Sequence, residues 1–228
     1  MRVLAIETST AWGSVALADA GGLIAERSSR VPGQHLEWLV PAIDELLADT
    51  RLDRGMVDGL AVSLGPGRFN GLRIGLATAS AWAVTAGRPM VGISTLDAIA
   101  AGESATESLV LAVLDVRRGE VAAALYRHAP ALTRLTPDLV APPRRLREVL
   151  PPIAEPLAVT GDGLERYQAV VLAALAPWAT STPPGRWRPQ ASIVARLGRA
   201  RLVRGEHDDP LTLGPIYARP VDAREFAR

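Results

Sequence analysis

The order of the apolar segments is the feature that most constrains the fold of this chain. Three short apolar runs come first and glycine turns separate them, which predicts an antiparallel meander of strands at residues 3–6, 15–18 and 23–25. From Gln34 apolar residues recur at helical spacing, which predicts an amphipathic helix of about four turns that contains Pro41. A strand, a helix and a further strand follow at residues 57–63, 71–86 and 90–94. This order is typical of a ribonuclease-H-like α/β unit.

A second unit of similar shape begins near residue 108. An apolar run ends in Asp115 as the first run ends in Glu7, and a glycine and another apolar run follow in both places. Internal duplication would explain this pattern. Two unrelated hairpins, each with an acid after its first strand, would explain it equally well. We predict two halves, 1–104 and 105–228, the second smaller and less regular. In it we expect a strand at residues 157–160 and helices at residues 165–176 and 191–203.

The amino-acid composition excludes several kinds of catalytic and metal-binding site. The 25 residues counted as lysine plus arginine are all arginine, cysteine is absent, and there are three histidines. Schiff-base and thiolate nucleophiles, a phosphate-loop lysine and cysteine-ligated zinc are therefore excluded. His35, His128 and His207 lie far apart in the sequence, so we expect no metal site built on a local histidine pair. The formal net charge of +1 gives no general attraction to nucleic acid or to an anionic membrane.

The first residues do not resemble a targeting segment. The apolar run at residues 3–6 ends at Glu7, which is too short for the apolar core of a signal peptide. No run approaches the length of about 18 apolar residues that a membrane span requires. We therefore expect a cytoplasmic protein that does not associate with membranes.

The most informative segment is the glycine-rich turn between the predicted strand 57–63 and helix 71–86. Backbone amides at a helix start suit an anion, so we predict a possible anion or nucleotide loop formed by Glu7, Gly65, Gly67, Arg68, Asn70 and Gly71. In the alternative interpretation the glycines only permit a tight turn and Asn70 caps the helix. The spacing does not match a dinucleotide-binding fingerprint, and without lysine the loop is not a Walker loop.

This loop resembles the signature of the bacterial TsaB family, also called YeaZ. The matching residues are Gly65-Pro66-Gly67, Phe69 and Gly71-Leu72-Arg73-Ile74-Gly75. The likeness continues along the chain through Ile6-Glu7-Thr8-Ser9, His35 with Leu39-Val40-Pro41, Gly92-Ile93-Ser94-Thr95-Leu96, Asp115 with Arg117-Arg118-Gly119-Glu120-Val121, Gly161-Asp162-Gly163, and Pro215-Ile216-Tyr217 with Arg219.

The resemblance implies an actin-like (ASKHA) α/β fold of two ribonuclease-H-like halves and a non-catalytic role. TsaB-family proteins pair with the TsaD catalytic subunit, which transfers threonylcarbamoyl to the adenosine beside the anticodon of tRNAs reading ANN codons. A small ATPase, TsaE, joins that assembly. The resemblance therefore implies a scaffold with no cofactor of its own, which meets tRNA only through the complex. ATP or ADP and magnesium would lie at the interface of the complex.

The sequence also departs from the family pattern. Arg68 and Asn70 replace the usual serine and threonine, and Glu7 replaces the usual aspartate. Glu7 could hold a hydrated magnesium ion or could simply close the end of a strand. An actin-like ATPase or sugar-kinase relative that uses Glu7, Asp115 and the loop around magnesium and ATP is the rival interpretation. The residue four after His35 is Leu39, so the paired-histidine metal motif of TsaD is absent, which also argues against a metallopeptidase.

The helix at 71–86 is apolar nearly all round, and one sheet cannot bury all of it. Small side chains would let another helix approach closely, and Trp82 is typical of an interface anchor. We predict a partner interface for TsaD, or for a second copy when TsaD is absent, at His35, Trp38, Leu39, Ala42, Arg73, Ile74, Ala77, Ala81 and Trp82. In the alternative, the first long helix and the second half cover the helix and the protein is a monomer.

Arginines are concentrated near the end of the chain. Six of them precede the next acid, namely Arg186, Arg188, Arg196, Arg199, Arg201 and Arg204. Such a cluster could contact tRNA phosphates, or it could form the solvated face of a helix. The sequence is compatible with both interpretations.

Overall fold

The first half is built around a five-stranded mixed sheet. The computed structural model describes residues 1–103, 109–128 and 131–219. The strands are β1 (Val3–Glu7), β2 (Trp12–Asp19), β3 (Gly22–Arg30), β4 (Gly59–Gly65) and β5 (Met90–Ser94), in the spatial order β3-β2-β1-β4-β5. The pairs β1–β2 and β2–β3 are antiparallel, whereas β1–β4 and β4–β5 are parallel. The predicted meander is confirmed, and β4 begins two residues later than predicted.

The second sheet repeats this arrangement. Its strands are β6 (Leu109–Asp115), β7 (Val121–Arg127), β8 (Thr133–Arg134), β9 (Leu139–Ala141), β10 (Leu157–Thr160) and β11 (Ala179–Ser181). Their order is β11-β10-β6-β7-β8, and β9 also pairs with β7. Strands β6, β7 and β10 therefore occupy the places of β1, β2 and β4 in the first sheet. This confirms the prediction of an actin-like α/β fold with two related halves, the second less regular.

Six α-helices cover the two sheets in the described part of the chain. They are α1 (His35–Thr50), α2 (Phe69–Ala86), α3 (Thr95–Ala101), α4 (Leu146–Val149), α5 (Leu164–Ala174) and α6 (Ala191–Val203). Alternate residues of β1 face opposite sides of the first sheet, because successive strand side chains alternate. Leu4 and Ile6 pack with α1 and α2. Val3 and Ala5 pack with α6 on the other side.

Two helices cross between the halves. Helix α6 lies late in the sequence, yet its Val194 and Ala195 are buried against the first sheet. Helix α3 follows β5, yet its Leu96 and Ile99 pack against β6 and β7 of the second sheet. Each sheet is therefore covered in part by a helix from the other half of the sequence. The predicted division between residues 104 and 105 lies among residues 104–108, outside the described residues, and stays a prediction.

A helix that crosses a membrane must be both long and apolar. No helix in residues 1–103, 109–128 or 131–219 is long and apolar enough to cross a membrane.

Candidate functional site

The glycine-rich turn is packed against the turn that follows β1. The amide of Arg68 donates to the carbonyl of Ser9 at 2.7 Å, and Thr8 Oγ1 donates to the carbonyl of Gly71 at 2.8 Å. A Cβ atom at Gly71 would lie 2.0 Å from the Thr8 carbonyl oxygen, so only glycine fits there. The chain itself therefore occupies the space beside the helix start, which favours a structural role for these glycines.

Asn70 does not cap α2, so that prediction is wrong. The helix begins at Phe69 rather than Gly71, and Arg68 in extended conformation is the residue at the N-cap. Asn70 thus lies in the first turn, exposed, and no side-chain hydrogen bond caps this helix. The predicted start at Gly71 goes with Asn70 as the N-cap, whereas Arg68 occupies that position and the helix begins two residues earlier.

Glu7 closes the end of β1 and is sealed from solvent. Its side chain is 1% exposed, Oε1 accepts hydrogen bonds from the Ser9 amide at 2.6 Å and from Ser9 Oγ, and Oε2 accepts one from Ser63 Oγ. Burial raises the pKa of Glu7, and the hydrogen bonds from Ser63 and Ser9 act in the opposite direction. A hydrated magnesium ion needs accessible carboxylate oxygens, so this residue does not fit that role.

Two acids lie at the equivalent place in the second half. Oδ1 of Asp162 accepts a hydrogen bond from the Asp115 amide at 3.0 Å, and Oδ1 of Asp115 accepts one from the Arg117 amide at 2.9 Å. Burial raises the pKa of Asp162 to about 7, and the charge of Asp115 acts in the same direction. Sequence reasoning did not select Asp162 as a site residue; its signal was an acid between two glycines directly after a strand.

Arg68 connects this acidic pair to the first half. Burial lowers the pKa of Arg68, the positive charge of Arg117 lowers it further, and Asp162 and Asp115 act in the opposite direction. Arg117, Asp162 and Asp115 therefore lie close enough to Arg68 for their charges to act on it. Arg68 and Asp115 are thus near each other, as the rival interpretation requires, but the Glu7 carboxyl is closed to a ligand.

The residues predicted on α1 face inward. His35, Leu39 and Ala42 are buried, so the expectation that they point toward a partner is wrong. They lie on the stripe that packs on the first sheet, and burial lowers the pKa of His35. Trp38 is half-buried with its ring over Gly13. The exposed apolar side chains of this helix are instead Leu36 and Val40, at 68% and 49% exposure.

Helix α2 has one covered and one uncovered apolar stripe. Leu72, Leu76, Ala79 and Ala83 are buried against the sheet. Ala77, Ala81 and Val84 are exposed, while Ile74 and Trp82 are half-buried. The described residues therefore leave the second stripe uncovered, and the monomer alternative stays a prediction. We define the α2 face as Ile74, Ala77, Ala81, Trp82 and Val84.

Arg73 is exposed at the start of this helix and has contacts within the chain. Its guanidinium group lies 4.0 Å from the ring centroid of Phe69, and its Nε donates to the Tyr217 hydroxyl at 3.0 Å. Tyr217 stacks on Phe69, and the Ile216 amide donates to the carbonyl of Leu64 at 2.7 Å. The segment around Tyr217 is thereby fixed to the start of α2.

The arginine cluster is held by internal contacts. Arg201 donates to the carbonyl of Gly92 at 2.7 Å, and Arg196 donates to that of Ala101 at 2.7 Å. Arg199 donates to the carbonyl of Met1, and Arg204 forms an ion pair with Glu206. Arg186 forms an ion pair with Glu103, and the guanidinium group of Arg188 lies over the Trp12 ring. All of these arginines except Arg204, which pairs locally with Glu206, thus hold α6 and its flanks to the first half. A simple solvated face does not describe the cluster, and these contacts give no support to a role in tRNA binding.

Comparison with known proteins agrees with this architecture. The family model described as TsaD, tRNA N6-adenosine threonylcarbamoyltransferase, matches residues 8–160. TsaB from Escherichia coli is 38% identical over 131 residues, which cover 56% of this chain and 55% of that protein. TsaB from Bacillus subtilis is 26% identical over 98% of this chain and 96% of its own length. The chain spans 61% of the length of an uncharacterized Mycobacterium leprae relative that is 31% identical.

A solved structure extends the likeness to the whole fold. YeaZ from Pseudomonas aeruginosa superposes with a TM-score of 0.81 at 28% identity, covering 95% of this chain and 99% of that one. At that coverage the agreement includes both halves. The chain therefore belongs to the TsaB (YeaZ) family, within the wider group that the TsaD family model describes.

Proposed function

We propose that this chain is the non-catalytic TsaB-type subunit of a tRNA threonylcarbamoyladenosine synthesis complex. In this role it binds and activates a TsaD-type subunit, which transfers threonylcarbamoyl to the adenosine beside the anticodon of tRNAs reading ANN codons. Family membership supports the process, because relatives are named tRNA threonylcarbamoyladenosine biosynthesis protein TsaB. The uncovered α2 face is the observation that supports a role in binding another protein.

The α2 face has the properties of a helix-packing surface. Ala77 and Ala81 are one helical turn apart and exposed, so a partner helix can approach the backbone closely. Val84 is 51% exposed and half-buried Trp82 adds aromatic area beside it. An apolar helix face that the chain leaves uncovered marks an interaction site. The same face is proposed to pair two copies when the partner is absent.

The site residues support a scaffold better than an independent enzyme. The carboxyl of Glu7 is buried and hydrogen-bonded to Ser9 and Ser63, so it is not free to act on a ligand. His35 is buried and has Leu39 four residues later, so the paired histidine that TsaD carries is lacking. We propose that the chain has no cofactor of its own. A TsaE-type ATPase, ATP or ADP with magnesium, and tRNA would join through the complex.

Reconstitution tests this proposal. Depleting the protein should lower threonylcarbamoyladenosine in cellular tRNA, as nucleoside analysis would measure. The purified chain, given tRNA and threonylcarbamoyl-adenylate, should modify nothing until the TsaD-type subunit of the same organism is added. Modification in the verified absence of that subunit would overturn the proposal. Titration of the chain with ATP and magnesium tests the rival, because an independent ATPase would bind and turn over nucleotide alone.

A further inference from the structure

A groove lies at the C-terminal end of the α2 face. It runs between this helix and the 3-10 turn Arg54–Met56, and its volume is about 420 Å³. The lining residues combine a tryptophan, two arginines and small side chains, and they are Arg54, Gly55, Ala81, Trp82, Thr85, Ala86 and Arg88. Ala81 belongs both to the groove and to the α2 face, so the two surfaces are continuous.

The groove carries an excess of positive charge. Arg54 lies 5.9 Å from the centroid of the Trp82 ring and is paired with Asp44, and both charged side chains are at least half exposed. Arg88 donates to the carbonyl of Gly55 at 2.9 Å and makes no ion pair within the described residues. Among the residues that the structure describes, no acid lines the groove. One arginine charge therefore remains uncompensated beside an apolar platform.

This combination matches a carboxylate better than a nucleic acid. A guanidinium group binds a carboxylate through charge-assisted hydrogen bonds, and Trp82 can pack against the apolar stem of the same side chain. Nucleic-acid surfaces instead collect several uncompensated cations along a backbone. Here a single uncompensated arginine adjoins a stripe of alanine and valine, which is the pattern of a protein interface with a charged rim.

We propose that this groove receives an acidic segment of the partner subunit, whose carboxylate pairs with Arg88 and, in exchange with Asp44, with Arg54. The inference rests on the proposed function, since the partner is the TsaD-type subunit that packs on the α2 face. In this arrangement the α2 face supplies most of the contact area. The carboxylate bound in the groove sets the position of the partner helix along α2.

Charge variants measured by calorimetry against the purified TsaD-type subunit test this inference. Arg88→Glu should weaken binding at least about tenfold at low salt, and Arg88→Gln less, because reversal adds repulsion to the lost pair. The difference from wild type should shrink at high salt, where exposed charges are screened. Arg144→Glu, at an exposed arginine of the second half, is the matched control and should bind like wild type. Circular dichroism confirms that each variant is folded.

Comparison with Ala81→Glu separates this inference from the proposed function. If Ala81→Glu abolishes binding while both Arg88 variants bind like wild type, the acidic segment is wrong and the α2 interface stands. If Ala81→Glu also binds like wild type, the α2 interface itself is wrong. If Arg88→Glu leaves subunit binding intact but weakens tRNA binding by the assembled complex, the groove recognises phosphate and the inference is overturned.

Discussion

The two halves of the molecule differ in the side chains that surround the acid at the end of their equivalent first strands. Strands β1 and β6 are equivalent in the two sheets, and each ends in an acid, Glu7 and Asp115. In the first half, Ser63 of the neighbouring strand β4 donates to the Glu7 carboxyl. In the second half, the residue that reaches across from the end of β10 is another acid, Asp162. The acid at one strand end thus accepts hydrogen bonds from serine, whereas at the other strand end a second acid accepts a hydrogen bond from the backbone amide of the first.

The difference shows how one topology can keep or lose a ligand site. Both oxygens of Glu7 accept hydrogen bonds within the chain, and the turn at Thr8 fills the space beside Gly71. The charges of the two acids in the second half instead act on Arg68. A closed first half agrees with a scaffold whose function lies on the outer surface of α2.

Substituting the packed glycines should have the largest effect on stability. Gly71→Ala places a methyl group 2.0 Å from the Thr8 carbonyl oxygen, and Gly161→Ala places one 2.1 Å from that of Val113. We expect each to lower the free energy of unfolding by about 3 kcal/mol, at the upper end of overpacking costs. Gly185→Ala, which has open space around it, is the control and should change little in urea denaturation. Equal stability of all three variants would show that the close approach is not required.

Removing the two equivalent acids, Glu7 and Asp115, should destabilise the protein to different extents. Glu7→Ala leaves the buried Ser9 amide and Ser63 hydroxyl without their acceptor, so we expect a loss of about 2 kcal/mol. Asp115→Ala should cost about 1 kcal/mol, because the Arg117 amide it serves is more exposed to water. Glu7→Gln keeps an acceptor in place and should retain most of the stability. A larger loss for Asp115→Ala in chemical denaturation would contradict the assignment of Glu7 as the sealed strand end.

The pH dependence of stability should come in part from Asp162. Its pKa is about 7 in the folded chain and 3.8 in the reference state, so the folded chain retains a proton that the unfolded chain has lost between these values. The contribution of this group is therefore greatest below about pH 4 and is lost as the pH rises through 7. Asp162→Asn should remove that part of the slope in denaturation curves recorded from pH 5 to 8. The exposed Glu37→Gln variant should keep it, and an unchanged slope in Asp162→Asn would contradict this account.

Asn70→Ala should have the smallest effect. The side chain is exposed and makes no capping bond, so we expect a change within about 0.5 kcal/mol, as for ordinary surface positions. Thermal unfolding of this variant beside wild type would measure it. A loss of about 1 kcal/mol or more would restore the capping role that the sequence suggested.

Local periodicity predicted much of the fold and less of the site. It located β10 and α6 at their observed bounds, and Ala77 and Ala81, two residues predicted for the partner interface, are exposed on α2. It did not show which side of α1 the sheet covers, so buried His35 was assigned to a partner. It also could not place α6 on the first sheet, because that contact depends on residues far apart in the chain. Asp162 acquires its character only from burial beside Asp115.

The mass of the complex formed with the TsaD-type subunit tests the central claim most directly. Wild-type protein mixed with that subunit should sediment as a complex. Ala81→Glu should leave the two proteins separate while its own fold stays intact, because the longer side chain fills the space that a closely packed partner helix needs on the α2 face. Ala169→Glu, at an exposed alanine on the outer side of α5, is the matched control and should assemble like wild type. Assembly of Ala81→Glu at wild-type affinity would contradict the account, because the partner would then bind elsewhere.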